Sequence, residues 1–162
     1  PKAKRADLEA GADAFLARAA DETSVESASG QLHFVERDSS VVALSQSFQR
    51  EIRFEASGRR LTVLALAGVC VHPDFRGEGL GAEVVKAAFA RLEKESIELS
   101  LFQTGVPEFY RKLGSRVVEN EFFNSLAEGD PETNPWWDER VMIHPAGARW
   151  PEGRVDLRGP GY

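Results

Sequence analysis

Apolar residues recur along the N-terminal half of the chain with two different periods, and each period predicts one kind of element. Between Ala6 and Ala20 they stand at helical spacing, which predicts an amphipathic helix, and the polar stretch 21–30 predicts a loop after it. Strand patterns then predict β-strands at Gln31–Glu36 and Val41–Phe54, and a nearly continuous apolar run predicts a third at Leu61–Val71. The last of these is apolar almost throughout, so we expect it to be buried on both faces.

The next part of the chain combines both periods. Gly79–Ser96 has one apolar side and predicts a helix of about four turns, whose polar side carries Glu83, Lys86, Arg91 and Lys94. Ile97–Leu101 alternates with period two and predicts a strand. The order strand, helix, strand predicts a right-handed parallel crossover.

The C-terminal part begins with a short predicted helix at Pro107–Gly114. A closing strand pair is predicted at Val117–Phe123 and Arg140–His144. An acidic loop, Glu128–Glu139, separates these strands, and a tail rich in Gly, Pro and Arg follows Pro145.

The composition is that of an ordinary globular chain. The sequence has 162 residues, 42% of them hydrophobic and 28% charged, which favours a single domain. The longest apolar run, Leu61–Val71, is far below the roughly 18–20 residues that span a bilayer, so we expect no membrane partner. The formal net charge of −6 argues against nucleic acid as a partner and mildly favours a cationic one.

The cysteine and histidine residues suggest neither a disulfide nor a metal site. Cys70 is the single cysteine, and its alternation with two valines indicates a small apolar core residue. His33 and His144 have no companions at ligand spacing and are interpreted as structural. His72, between the strand and the following proline, suggests a catalytic role, but its ring is expected to face outward and a structural role is favoured. The basic start Pro1–Arg5 leads into an amphipathic segment rather than an apolar signal core. These observations predict a cytoplasmic protein without a metal.

One segment carries most of the chemistry that the sequence suggests. Residues 69–81 contain the end of an apolar strand, a short turn with Arg76, and the alternating glycines Gly77, Gly79 and Gly81 at the start of the predicted helix. Glycines allow positive φ and close approach of a ligand, and amides at a helix start carry partial positive charge. Arg76 adds forked cationic donors. The segment therefore predicts a site for a phosphorylated cofactor.

Two kinds of phosphate site have such glycines. Residues 77–82 match the dinucleotide fingerprint GxGxxG/A, but a Rossmann strand runs almost directly into that fingerprint and an acidic residue ends the next strand. Here His72–Arg76 intervene, antiparallel strands precede the motif, and the next strand leads into Gln103 and Thr104. The dinucleotide interpretation is therefore disfavoured.

The same segment resembles the pyrophosphate motif of the GNAT acetyltransferase superfamily. Arg76-x-x-Gly79-x-Gly81 follows Val-x-Val-x-Pro, and residues 109–114, Phe-Tyr-Arg-Lys-Leu-Gly, are similar to the second motif of that superfamily. The resemblance covers roughly three quarters of the chain. It implies a mixed α/β fold of the α+β type, with a mostly antiparallel mixed sheet flanked by helices and a splayed parallel strand pair. The chain departs from the family in lacking a recognisable first strand before the N-terminal helix.

The resemblance implies acetyl-CoA as the cosubstrate. The backbone of Val69, Cys70 and Val71 would pair with the pantetheine arm, and a strand N–H near Val71 would polarise the thioester carbonyl. Arg76 would hold the pyrophosphate together with backbone amides, those of Gly77, Gly79, Leu80, Gly81 and Ala82. Gly68 is expected to provide the backbone distortion that goes with a splayed strand pair.

Tyr110 corresponds to the residue that protonates the departing CoA thiolate in many family members. A phenol with a pKa of about 10 stays protonated where a thiol with a pKa of about 8.5 begins to ionise, so it can act as a general acid. The alternative is a tyrosine that caps the core beside Phe109. Many members carry a glutamate just before the Val-x-Val segment, where this chain has Ala65–Gly68. No base is assigned, and a water chain or one of three carboxylates stays open: Glu51, Glu119 or Asp138.

The resemblance predicts transfer of an acetyl group to a primary amine of a small molecule or peptide. The tail Trp150–Tyr162 faintly resembles that of aminoglycoside 2′-N-acetyltransferases, where it helps to bind a polycationic sugar. This suggests Asp156 and the Trp136–Trp137 loop as walls of an acceptor site, against the simpler interpretation of a surface tail. A non-catalytic acyl-CoA-binding sensor or interaction module of the same fold is the alternative. Since homodimers are common in this superfamily, a homodimer is a further expectation.

Overall fold

A computed structural model of the chain describes residues 30–162. The strands in this range are β1 (Gln31–Arg37), β2 (Ser40–Phe54), β3 (Arg60–Val71), β4 (Ser100–Thr104), β5 (Arg116–Val118), β6 (Phe122–Phe123), β7 (Arg140–His144) and β8 (Val155–Asp156). The helices are α1 (Leu80–Lys94) and α2 (Pro107–Lys112), and a short 3-10 turn is formed by Pro73–Phe75. The predicted N-terminal helix, and the question of a strand before it, lie outside the described residues.

The strands form one mixed sheet in the order β5-β7-β4-β3-β2-β8-β6, with β1 paired to β2. β3 and β4 are parallel, as are β6 and β8. The pairs β1–β2, β2–β8, β4–β7 and β5–β7 are antiparallel. The predicted mixed α/β fold with a mostly antiparallel sheet, and the parallel crossover from β3 through α1 to β4, are confirmed. Neither described helix is long and apolar enough to cross a membrane.

The described residues group into two compact units. The first comprises 30–47 and 67–88, and the second comprises 48–66 and 89–162. β2, β3 and α1 each contribute residues to both units. The single domain expected from the chain length stays a prediction.

The first unit contains a hairpin that carries the start of α1. β1 turns into β2 through Asp38 and Ser39, whose φ values of 50° and 64° are left-handed. Such a turn matches the right-handed twist of the two strands. The hydroxyl of Ser45 donates to the carbonyl oxygen of Val84 at 2.9 Å, which ties the helix to β2. The buried cluster of the unit, here named the hairpin cluster, consists of Val35, Val42, Ala43, Leu80 and Val84.

The second unit is built around β4. This strand lies between β3 and β7, and four of its five residues are buried, so both of its faces are covered. The hydroxyl of Ser100 donates to the carbonyl oxygen of Leu64 at 2.7 Å. Arg50 holds the tail by donating to the main-chain oxygens of Leu157 at 3.1 Å and Pro160 at 2.7 Å. The core of the unit includes Ile52, Phe54, Val63, Leu101, Phe122, Trp136, Ile143, Val155 and Leu157.

Burial differs from the expected pattern at three places. The strand predicted at Ile97–Leu101 lies three residues further on, at β4. Because β4 is buried on both faces, the alternation of apolar and polar residues does not mark where this strand begins and ends. Arg91, predicted on the polar side of the helix, is only 4% exposed, and Glu95 binds its guanidinium at 2.7 Å. In β3, burial on both faces holds for 63–66, whereas 67–71 is partly exposed.

The C-terminal strands also differ from the prediction. The segment Val117–Phe123 is two strands rather than one: β5 pairs with β7, whereas β6 pairs with β8. β8 lies in the tail, where no strand was predicted. It is two residues long and is defined by its partners β2 and β6, so it has no periodicity of its own.

The tail makes a close contact that a substitution can test. A Cβ at Gly161 would collide with the carbonyl oxygen of Pro135 and lie 3.2 Å from Cζ3 of Trp137. We expect Gly161→Ala to lower the free energy of unfolding by about 1–3 kcal/mol, the usual effect of overpacking. Gly147→Ala is the matched control, because no described atom lies within 4 Å of a Cβ there. Urea denaturation measures both variants, and equal midpoints would contradict the packing of the tail.

Candidate functional site

The backbone conformation of β3 changes at Gly68. The φ of this glycine is +59°, a conformation that strains any other residue inside a strand, so the predicted backbone distortion is confirmed. Beyond it, Val69 and Val71 pack against the hairpin cluster. Cys70 is half-buried, and this burial raises the pKa of its thiol to about 11. The thiol is therefore protonated at neutral pH. The prediction that Cys70 is a core residue was wrong, because the strand is partly exposed after Gly68.

The 3-10 turn connects β3 to α1. The amide of His72 donates to the carbonyl oxygen of Val42 at 2.8 Å, which holds the start of the turn on β2. The His72 ring caps the turn: its Nδ1 accepts from the amide of Asp74 at 3.3 Å. The same ring contacts Phe75 edge-on, with centroids 5.8 Å apart. These contacts agree with a structural role for His72.

Arg76 follows the turn and is bound back to the strand. Its Nε donates to the carbonyl oxygen of Val71 at 3.3 Å, and its side chain is exposed. A guanidinium has five N–H donors, of which this bond uses one. Arg76 therefore presents a fixed cation to solvent directly before the glycines.

Gly77 and Gly79 expose the backbone that follows Arg76. Their φ values are 90° and 83°. No described atom lies within 4 Å of the position that a Cβ would take at either residue. Glycine is therefore required at these positions by the positive φ and not by crowding. The space beside the chain is open to a ligand.

α1 begins directly after these glycines. Its first hydrogen bond runs from the amide of Glu83 to the carbonyl oxygen of Gly79 at 3.1 Å. By helix geometry, the amides of Leu80, Gly81 and Ala82 therefore have no acceptor within the helix. The Leu80 side chain is 4% exposed and anchors this end of the helix in the hairpin cluster. A fixed helix start of this kind binds anions such as phosphate.

The residues predicted to bind the cofactor lie in one continuous segment of the first unit. They are Val69, Cys70, Val71, Arg76, Gly77, Gly79, Leu80, Gly81 and Ala82. Amide donors, open glycines and one guanidinium fit a pyrophosphate group. Among residues 30–162, no group of three or more His, Cys, Asp or Glu side chains is placed to hold a metal ion.

Tyr110 lies on α2, in the second unit. Its side chain is 6% exposed, and its ring contacts those of Phe102 and Phe109, with centroids 4.6 and 4.9 Å away. Burial raises the pKa of its hydroxyl well above the usual value, and the negative charge of Asp138 raises it further. The phenol is thus protonated at neutral pH. Its packing fits both a general acid and a tyrosine that completes the core.

The three carboxylates that the sequence offers as candidate general bases have different surroundings. Glu51 lies 3.3 Å from a guanidinium nitrogen of Arg60 and 3.4 Å from one of Arg158. Glu119 is exposed. Asp138 lies beside Gly105, where a Cβ would be 3.6 Å from its Oδ1, and it is the one of the three whose charge acts on Tyr110.

Asp156 is not available to an acceptor, so its expected role in the tail was wrong. Its side chain is buried, and its Oδ1 accepts from the amides of Ser125 at 3.0 Å and Arg158 at 2.9 Å. The carboxylate therefore organises the chain around β8. The two tryptophans of the acidic loop differ in burial: Trp136 is 6% exposed and belongs to the core, whereas Trp137 is 70% exposed.

The other two histidines also have structural partners. Nε2 of His33 lies 3.0 Å from the hydroxyl oxygen of Ser47. The ring of His144 stacks on Phe89 with centroids 3.8 Å apart, and burial lowers the pKa of this histidine. These contacts agree with the interpretation of both residues as structural.

Gln103, which the sequence did not single out, organises the surroundings of β4. Its Oε1 accepts from the amides of Trp137 and Asp138, both at 2.9 Å. Its Nε2 donates to the main-chain oxygen of Tyr162 at 2.9 Å. These partners stand 34 to 59 residues away in the chain, so no local pattern indicates them.

A family model and several solved structures are similar to this chain. A family model described as an acetyltransferase (GNAT) domain matches residues 10–118, whereas none of the curated proteins matches. The GNAT family N-acetyltransferase YhbS from Escherichia coli, solved in complex with CoA, is 15% identical with a TM-score of 0.51, over 76% of this chain and 63% of that one. Eis1 from Mycobacterium abscessus is 12% identical with a TM-score of 0.50, over 54% of this chain and 22% of that one. A GCN5-related N-acetyltransferase from Kribbella flavida is 26% identical with a TM-score of 0.48, over 52% of this chain and 21% of that one.

The extent of the matches differs between the comparisons. The match spans about a fifth of the length of the Kribbella and Mycobacterium proteins, and under two thirds of YhbS. The family model, in contrast, matches more than half of this chain and includes both Arg76–Gly81 and Phe109–Gly114. The chain therefore belongs to the GNAT family of acetyltransferases.

Proposed function

We propose that the protein transfers the acetyl group of acetyl-CoA to a primary amine of a small molecule or peptide. The observation that carries the proposal is the segment 69–82, where amide donors, open glycines and a fixed guanidinium follow one another. Family membership supports an acyltransferase in general. A protein of similar fold, YhbS, is in complex with CoA.

In this proposal, each part of the segment binds one part of the cosubstrate. The amides of Leu80, Gly81 and Ala82 donate to the pyrophosphate, and Arg76 neutralises part of its charge. Gly77 and Gly79 let the phosphates approach the backbone. The backbone of 69–71, whose residues are partly exposed, pairs with the amide groups of the pantetheine arm, as an added strand would.

The reaction is a direct attack. The neutral amine nitrogen bonds to the thioester carbonyl carbon, the carbon–sulfur bond breaks, and the sulfur leaves as a thiolate. Tyr110 donates its hydroxyl proton to that sulfur and regains a proton from solvent, while the amine releases its surplus proton to solvent. Because burial raises the pKa of Tyr110, its hydroxyl still carries its proton at neutral pH, where a CoA thiol begins to ionise.

The role of Arg76 can be tested by shortening the ligand. We expect Arg76→Gln to weaken CoA binding about tenfold, since one charge-assisted hydrogen bond is lost. Binding of pantetheine, which lacks the pyrophosphate, should not change. Arg37→Gln is the control, because Arg37 is an exposed arginine of the same unit. Calorimetry measures both ligands, and an equal loss for CoA and pantetheine would contradict the assignment.

The role of Tyr110 can be tested by turnover. We expect Tyr110→Phe to lower kcat about 100-fold, as loss of a general acid does, and to leave CoA affinity unchanged. Tyr162→Phe is the control, since among the described residues the buried Tyr162 hydroxyl has no hydrogen-bond partner. Release of CoA thiol is measured over a panel of amines, and unchanged turnover of the Tyr110→Phe variant would remove its catalytic role.

The same assay separates the proposal from a non-catalytic module. A transferase releases thiol with at least one amine of the panel. A sensor or interaction module binds CoA in the calorimeter but releases no thiol with any amine. The second outcome would overturn the proposed activity while leaving the binding segment in place.

A further inference from the structure

Trp137 and Asp138 follow each other in the chain, and the backbone amides of both are held by Gln103 of β4, in the second unit. Oδ1 of Asp138 lies 3.6 Å from the position of a Cβ at Gly105. Gly105 directly follows β4 and precedes α2, the helix that carries Tyr110, by two residues. The charge of Asp138 reaches the Tyr110 hydroxyl, as the raised pKa of that group indicates. Asp138, which together with Trp137 is here named the Trp–Asp pair, therefore lies beside the loop that leads into the helix of Tyr110.

Contacts on both sides fix the Trp–Asp pair. The side-chain oxygen of Gln103 accepts from both backbone amides of the pair, each at 2.9 Å, which ties this loop to β4. The indole of Trp137 rests on the tail, with Cζ3 3.2 Å from the position of a Cβ at Gly161. The pair is thus positioned by the fold although it lies at the surface.

Within the described residues, the carboxylate of Asp138 forms no ion pair, and most of the Trp137 side chain is exposed. Among the described residues, Asp138 has no Lys or Arg nitrogen within 4.0 Å. In the same unit, three other carboxylates, those of Glu55, Glu121 and Glu132, all bind Arg154. Trp137 is 70% exposed, whereas its neighbour Trp136 is 6% exposed. An indole that is fixed by neighbouring contacts and yet exposed to solvent is typical of a binding surface.

We propose that the Trp–Asp pair binds the ammonium group of a cationic acceptor, and that Gln103 is a positioning residue for the pair. The carboxylate forms a charge-assisted hydrogen bond with an ammonium, and the indole face attracts the same cation through its π electrons. The combination selects alkylammonium compounds over uncharged alcohols of the same size. The inference rests on the proposed function, because it names the class of acceptor for the proposed acetyl transfer.

The experiment measures ligand binding without turnover. Calorimetry on the full chain, saturated with CoA, compares cadaverine, which carries two ammonium groups, with the uncharged pentanediol. We expect cadaverine but not pentanediol to bind. Asp138→Asn should weaken cadaverine binding about tenfold, the effect of losing one charge-assisted hydrogen bond, and Trp137→Leu about threefold. Glu139→Gln is the matched control, since it removes the same charge from the next exposed residue and should change nothing.

A second pair of variants tests the positioning role. Gln103→Leu removes the acceptor of both amides and should weaken cadaverine binding while CoA affinity, the measure of an intact fold, stays the same. Gln103→Glu keeps an acceptor oxygen for the two amides and should retain cadaverine binding. Equal cadaverine affinity in Gln103→Leu and the unaltered protein would overturn the role of Gln103.

The outcomes separate this inference from the proposed function. If the unaltered protein does not bind cadaverine, or if Asp138→Asn binds it equally well, the cation site is overturned whether or not thiol is released. If cadaverine binding depends on Asp138 but no amine releases thiol from acetyl-CoA, the cation site stands and the transferase proposal fails.

Discussion

The candidate site depends on one backbone constraint in β3: at Gly68 the strand changes from fully buried residues to partly exposed ones. Residues 63–66 are packed in the core, and the parallel register with β4 pairs Leu64 with Ser100 and Ala65 with Leu101. At Gly68 the backbone takes a φ of +59°, and the residues after it are partly exposed. A side chain at this position would have to bear that conformation at a cost in free energy. One glycine thus separates the part of the strand that is packed in the core from the part that is partly exposed.

Apolar packing, rather than charge, holds the phosphate segment in place. Leu80 and Val84 fix the start of α1 in the hairpin cluster, and Ser45 bonds the helix backbone. The segment itself contains the acidic residues Asp74 and Glu78, and the whole chain has a formal net charge of −6. The phosphate binding that we propose therefore relies on oriented amides and Arg76, whose effect is short in range. The overall negative charge is consistent with the cationic acceptor that we propose.

The sequence predicts the candidate binding segment better than its surroundings, for a physical reason. The residues of 69–82 are contiguous, and glycine spacing with helical periodicity is a local signal, so the turn, the glycines and the start of α1 were all predicted. β4 was misplaced because burial on both faces removes alternation. β8 and Gln103 depend on partners far away in the chain. Asp156 was misassigned because two backbone amides that bind its carboxylate appear only in the folded tail.

The central claim is that the amides of 77–82 bind the pyrophosphate of CoA. Backbone NMR of the labelled protein during a titration tests it directly, because each amide reports its own hydrogen bond. CoA should shift the amide signals of 77–82 most strongly, and pantetheine should leave those signals nearly unchanged. Saturable CoA binding that leaves the amides of 77–82 in place, with the large shifts elsewhere in the chain, would contradict the claim.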